Sequence, residues 1–118
     1  MSFSEYLRHY WPVILFFIWI AYKIWRPRRV KKLLPELRKR NVAIIDVRTV
    51  AEFERGHAPD SMNIPLQELK NRLQEIPNDV PVILCCASGT RSALARRFLL
   101  GQGFKEVYNA GSFNNLII

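Results

Sequence analysis

Hydrophobic and polar positions divide this 118-residue chain into two regimes. From Tyr10 to Tyr22 thirteen consecutive residues, YWPVILFFIWIAY, carry no charge. Widening the window to Tyr6–Trp25 gives twenty residues that admit only Arg8, His9 and Lys23, all near the ends. Twenty helical residues reach about 30 Å, the thickness of a bilayer's hydrocarbon core. Trp11 and Trp25, with Tyr10 and Tyr22, fall near the two ends, where aromatic belts sit. Apolar groups surround the whole axis, so no polar face is left for an interfacial helix. Pro12 falls in the first turn of the run, where a helix tolerates it. The expectation is a transmembrane helix over about residues 6–25, with the membrane as its partner. Arg26, Arg28, Arg29, Lys31 and Lys32 follow the run instead of preceding it, and no small-residue cleavage site is present, which argues against a signal peptide. Their position puts the N-terminus outside and residues 33–118 in the cytosol, as a single-pass protein. A reducing compartment also suits a free cysteine pair.

Beyond residue 32 the pattern changes to short apolar runs alternating with amphipathic ones. Leu33–Arg40 predicts a short helix, with Pro35 in its first turn. Val42–Val47 (VAIIDV) and Val82–Cys86 (VILCC) are near-continuous apolar runs, as strands buried on both faces would be. Thr49 and Glu52 have capping-box spacing, predicting a helix to about Arg55 that stops at Gly56. Met62–Pro65 is a short strand. Leu66, Leu69, Leu73 and Ile76 recur at steps of three and four, predicting an amphipathic helix. Ser92–Leu100 is a further helix, ended by Gly101 and Gly103, and Glu106–Asn109 a last strand. Strands alternating with helices imply a mostly parallel α/β sheet, covered on both faces. The organisation expected is an anchor with a basic juxtamembrane segment (1–32) and one α/β domain (33–118).

Charge changes little in this picture. The formal net charge is +8, but residues 1–32 hold seven basic side chains against one acidic, whereas residues 33–118 hold eleven against nine. The high pI therefore belongs to one short segment, and nucleic acid is not the expected partner. Two adjacent cysteines cannot make a disulfide framework, and no metal-ligand spacing accompanies them. Neither a metal nor an organic cofactor is implied.

The chemistry concentrates where apolar strands end in polar residues, the usual place for sites in such sheets. Cys86 ends one strand, and Arg91 opens a helix five residues later. Ala87, Ser88, Gly89 and Thr90 between them are small. Such a loop lets successive backbone N–H groups point inward at a helix N-terminus, making an anion nest. A cysteine there has a stabilised thiolate, which is the attacking species.

The segments IIDVRTVAEFERGHAPDSMNIPL (44–66) and CASGTRS (86–92) resemble a single-domain rhodanese, a sulfurtransferase. The resemblance runs from about Leu33 to Ser112. It implies the rhodanese-like fold, a small parallel sheet of four to five strands with helices on both faces, here preceded by the transmembrane helix. It also implies that Cys86 takes a sulfane sulfur from a small donor and passes it to a thiol or protein acceptor. Cys86 would be the nucleophile and persulfide carrier. Ala87, Ser88, Gly89, Thr90 and Arg91 would form the substrate loop, with Asp46, Arg48 and Ser92 supporting it. Glu52 lies within ion-pair reach of Arg48 if residues 49–55 are helical. Cys85, adjacent on a strand, should face the opposite way, and His57 should hold structure by hydrogen bonding.

Two other readings use the same residues. An inactive rhodanese fold could serve as a binding module, although Cys86, Gly89 and Arg91 are retained. Tyrosine phosphatases and arsenate reductases also use a Cys-to-Arg loop, but with five intervening residues where this chain has four. The sequence departs from the family near its end, where Asn109-Ala110-Gly111-Ser112 stands in place of a Gly-Gly pair. Leu116-Ile117-Ile118 would be an exposed apolar tail unless it packs on the sheet or the membrane.

Overall fold

The computed structural model describes residues 2–117, leaving aside the side chains of residues 26–28. Four strands, β1 (Ala43–Asp46), β2 (Ser61–Asn63), β3 (Val82–Cys86) and β4 (Val107–Ser112), form one sheet in the order β2-β1-β3-β4. Every pairing is parallel. The two apolar runs are the central strands, and all five residues of β3 are buried. The sheet has four strands, the lower of the two numbers expected.

The helices are α1 (Phe3–Lys39), α2 (Val50–Glu54) and α3 (Thr90–Gly101). Thr49 caps α2 as its spacing predicts, its hydroxyl accepting from Glu52 N–H while the Glu52 carboxylate accepts from Thr49 N–H. The helix expected over 66–76 is instead two 3₁₀ segments, Leu66–Asn71 and Leu73–Glu75. The apolar spacing explains the difference. Leu66 to Leu69 and Leu73 to Ile76 are steps of three, which a 3₁₀ turn stacks on one side. The step of four between Leu69 and Leu73 falls at Arg72, where φ is −124° and the helix breaks.

Residues 33–40, expected as a separate short helix, are the end of the 37-residue α1. The helix starts from a capping box made by Ser2 and Glu5 and passes unbroken through position 32/33. Pro12 and Pro35 therefore lie in a helix interior, not in a first turn. Asn41, with φ 58°, ends it in the left-handed region that asparagine tolerates. The C-terminal part of α1 is core. Val30, Leu34 and Leu37 pack with Ile44, Ile83, Cys85, Ala110 and Leu116 on one face of the sheet. The other face is closed by α3 and the 3₁₀ segments through Ile45, Leu69, Leu84, Cys86, Ala95 and Leu99. The C-terminal apolar residues divide. Leu116 is buried in a 3₁₀ turn (Phe113–Leu116), Ile117 is exposed, and Ile118 lies outside the described residues.

The membrane assignment is overturned. Among the described residues, no helix is long and apolar enough to cross a membrane. The uncharged run of thirteen residues gives about 20 Å of helix, short of a hydrocarbon core of about 30 Å. Extending it takes in Arg8, His9 and Lys23, and the run itself contains Pro12 and the polar groups of two tyrosines and two tryptophans. The topology with the N-terminus outside and the remainder in the cytosol was derived from that span and falls with it. Of the basic cluster, the side chains of Arg26 and Arg28 lie outside the described residues. Arg29 lies 5.4 Å over the Trp25 ring, and Lys23 lies 5.2 Å over Trp19.

The two halves of α1 should therefore respond differently to truncation. Leu34→Ala should cost about 2–5 kcal/mol in urea unfolding, and Trp19→Ala, on the exposed half, under about 0.5 kcal/mol.

Candidate active site

The site lies at the carboxyl ends of β1 and β3, where parallel sheets place their ligands. Cys86 is the last residue of β3 and has no exposed surface. Its burial is compatible with chemistry because its sulfur meets donors and not apolar atoms alone. Gly89 N–H donates to Cys86 Sγ at 2.9 Å, and the Ser92 hydroxyl lies 3.3 Å away. Burial, the largest single influence, pushes the thiol pKa up. The Ser92 hydroxyl and the N–H groups of Ser92, Gly89 and Ser88 together outweigh it, so the thiol sits below its ordinary value. A hydrogen bond to a charged acceptor contributes about 1.5–3 kcal/mol, so several converging donors suffice to offset desolvation.

The loop has the conformation its small residues permit. Gly89 is the N-cap of α3 with φ +94°, a left-handed value. A Cβ placed there would lie 3.2 Å from Gly111 Cα, so β4 backbone fills the space beside it. Ala87, Ser88 and Thr90 are exposed, and the Ser88 and Thr90 hydroxyls lie 3.5 Å apart. A cavity of about 470 Å³ opens on the outer side of this loop. Ser88, Gly89, Thr90, Ala93 and Leu94 form part of its wall, with Trp19, Tyr22 and Lys23 of α1 opposite.

Asp46 and Arg48, expected to support the loop, form a buried ion pair with each other. Arg48 donates to both carboxylate oxygens of Asp46 at 2.8–3.0 Å, and its Nη2 also donates to Gly56 O at 2.7 Å. Phe113 covers the guanidinium at 3.7 Å. Asn63 Nδ2 donates to the carbonyls of both residues, tying β2 to the turn. A buried pair this well satisfied holds its geometry, and removing one partner would strand a charge.

Glu52 pairs with a different arginine from the one its spacing suggested. Arg48 is taken by Asp46, and Glu52 receives Arg91 Nη1 at 2.7 Å and Nη2 at 3.0 Å. Helical spacing gave reach to Arg48, but the buried carboxylate two residues away outcompetes it. The last loop residue, Arg91, is thereby latched to α2. The guanidinium lowers the Glu52 pKa to about 2, helped by Thr49 and opposed by burial. His57 makes a hydrogen bond of the kind expected of it: its Nδ1 donates to Phe53 O at 2.9 Å, and the two rings stack at 3.7 Å.

Cys85 faces the opposite side of the sheet, among Leu34, Ile44 and Ile83. Burial, then the Asp46 carboxylate, pushes its thiol pKa far up. It packs as a core residue on the face of the sheet away from Cys86.

Asn109 is the residue that sequence reasoning passed over. Its Oδ1 accepts from Ser92 Oγ at 2.6 Å and from Gly111 N–H at 2.9 Å, and its Nδ2 donates to Gly89 O at 3.0 Å. A β-bulge puts it there. Leu84 pairs with Asn109, but Cys86 pairs with Ser112, so β4 has an extra residue beside Cys85. Gly111, with φ +76°, turns the strand. The departure from Gly-Gly near the end of the chain was the only signal of it.

These features agree with what the chain resembles among known proteins. The rhodanese-like domain family model matches residues 29–116. A sulfurtransferase of Allochromatium vinosum is 39% identical over 69 residues, covering 58% of this chain and 64% of that protein. The thiosulfate sulfurtransferase GlpE of Pseudomonas syringae is 34% identical over 83 residues, covering 67% of this chain and 78% of its own. The crystal structure of a rhodanese-related protein from Thermoplasma volcanium is 33% identical, with a TM-score of 0.62, over 70% of this chain and 81% of the other. The chain belongs to the rhodanese-like domain family. Its enzyme class is that of the rhodanese-like sulfurtransferases.

The Glu52–Arg91 latch should be sensitive to acid. The carboxylate is more acidic folded (about 2) than at its ordinary value of 4.5, so the latch contributes fully above about pH 4.5 and is lost as pH falls toward 2. Wild type should melt above Glu52→Gln at pH 6, and the two melting temperatures should converge as pH falls from 4.5 toward 2.

Proposed function

We propose that this protein moves a sulfane sulfur from a small donor, thiosulfate or a persulfide, to a thiol-type acceptor through a persulfide on Cys86. The observation that carries the reading is the convergence of Gly89 N–H and the Ser92 hydroxyl on Cys86 Sγ. These groups favour the thiolate, and only the thiolate attacks.

With thiosulfate, the Cys86 thiolate attacks the outer sulfur. The Sγ–S bond forms as the sulfur–sulfur bond of the donor breaks, and sulfite leaves with the bonding pair. An acceptor thiolate then attacks the outer sulfur of the persulfide. The Sγ–S bond breaks, the acceptor departs as a persulfide, and Cys86 returns as the thiolate. Neither half-reaction requires a general base, a metal or an organic cofactor. Amides aimed at Sγ help both halves, because Sγ is an anion at the start of the first and becomes one again at the end of the second.

The remaining site residues act through Cys86. Ala87, Ser88, Gly89 and Thr90 form the cradle, and Arg91, latched by Glu52, holds the loop to the helix. Asp46 and Arg48 brace the adjacent strand end. Cys86 has no exposed surface, whereas Ala87, Ser88 and Thr90 of the loop that follows it are exposed. The catalytic unit is residues 33–118, with Val30, just before it on α1, packed in the same core as Leu34 and Leu37.

Incubation with thiosulfate should add one sulfur atom to wild type by mass spectrometry and none to Cys86→Ala. Cys85→Ala should load as wild type does. Equal loading of Cys86→Ala and wild type would sink the reading.

A further inference from the structure

Gly89 and Ser92 meet the sulfur, and one side chain aims them both. Asn109, on the neighbouring strand β4, pins Gly89 through its carbonyl, which accepts from Asn109 Nδ2 and from Ala93 N–H, each at 3.0 Å. With that carbonyl fixed and φ at +94°, the N–H of Gly89 lies on Cys86 Sγ. Asn109 Oδ1 meanwhile holds the Ser92 hydroxyl at 2.6 Å, within 3.3 Å of the same sulfur.

The Ser92 hydroxyl has a single proton and two candidate acceptors. While Cys86 is a thiol or a persulfide, the Ser92 hydroxyl donates to Asn109 Oδ1. The thiol's own S–H can then point to Ser92 Oγ. When Cys86 is a thiolate, its proton having gone to solvent, the sulfur only accepts. The hydroxyl can then turn to it without stranding Asn109, because Oδ1 keeps the Gly111 N–H at 2.9 Å. Ser92 is fully buried and Asn109 nearly so, so this pair has no water to fall back on.

We propose that Asn109 is a positioning residue for the reacting sulfur: it pins Gly89 and parks the Ser92 proton, so that both donors are in place each time the Cys86 thiolate forms. The proposal rests on Cys86 being the reacting group. The other charges near the sulfur are few. Arg91 of α3 is held by Glu52 of α2, and the Asp46–Arg48 pair stands at the end of β1. Cys85, next along β3, stays protonated. From β4 the neighbour is Asn109, which does not titrate.

The test is the pH dependence of Cys86 alkylation by iodoacetamide in the full chain, with the labelled peptide assigned by mass spectrometry. Ser92→Ala should raise the midpoint by about one pH unit and Asn109→Leu by about two, so labelling below both midpoints slows about tenfold and about a hundredfold. Ser92→Thr should restore the midpoint that Ser92→Ala loses. A merely structural Asn109 would change melting and leave the midpoint alone. A folded Asn109→Leu with the wild-type midpoint overturns the proposal. If Asn109→Leu does not fold, Asn109→Thr is read the same way. If neither folds, Ser92→Ala decides, and an unmoved midpoint there overturns the proposal. No sulfur donor is present, so failure to load from thiosulfate would defeat the proposed function without touching this result.

Discussion

A sulfur anion at the end of a buried strand is stable only if donors replace the water it has lost. Cys86 sits under that constraint, at the end of a β3 whose every side chain is buried. The donors come from the loop that follows and from the first turn of α3, and each is held by a partner from elsewhere in the fold. A side chain at position 89 would crowd the backbone of Gly111, whose Cα would lie 3.2 Å from its Cβ, and Gly111 is where β4 bulges. The irregularity in the sheet and the hydrogen bonding around the thiol are in this sense one feature.

The polar network around the site divides the work between two arginines. Arg48 is buried, doubly bonded to Asp46, and covered by the Phe113 ring, so it behaves as part of the scaffold. Arg91 is partly exposed and bonded to Glu52, itself held by the N-cap of α2. The first pair stiffens the strand end beneath the loop. The second ties the end of the loop to a five-residue helix that buries no side chain of its own. Any opening of the cradle is more easily accommodated at Arg91 than at Arg48, because the exposed pair exchanges its hydrogen bonds with water at little cost.

The two adjacent cysteines show how much a strand's alternation decides. Cys85 and Cys86 have the same covalent chemistry and neighbouring backbones. One faces an apolar cluster built with α1, and its thiol is held protonated by burial and by Asp46. The other faces the loop amides and is pushed the other way. A one-residue slip in register would exchange their roles.

The central strands, the capping box at Thr49–Glu52, the Asp46–Arg48 brace and the cysteine loop were all legible in the sequence, because each depends on residues close together in the chain. Periodicity, small-residue loops and cap spacing are local physics. The contacts the sequence left open or misplaced are the non-local ones. Glu52 chose Arg91 over Arg48 because Arg48 was already engaged in the core. The helix over 66–76 became two 3₁₀ turns because packing on the sheet favoured steps of three. The apolar run of α1 suggested a membrane span, but its uncharged core is too short for one, and the end of the same helix packs as core. Asn109 lies seventeen residues from Ser92 and twenty from Gly89, and only the bulge in β4 brings its amide to both. The chain by itself determined which cysteine ends the strand and opens the loop; the folded sheet decided which groups surround its sulfur, because those groups come from strands that meet only in three dimensions.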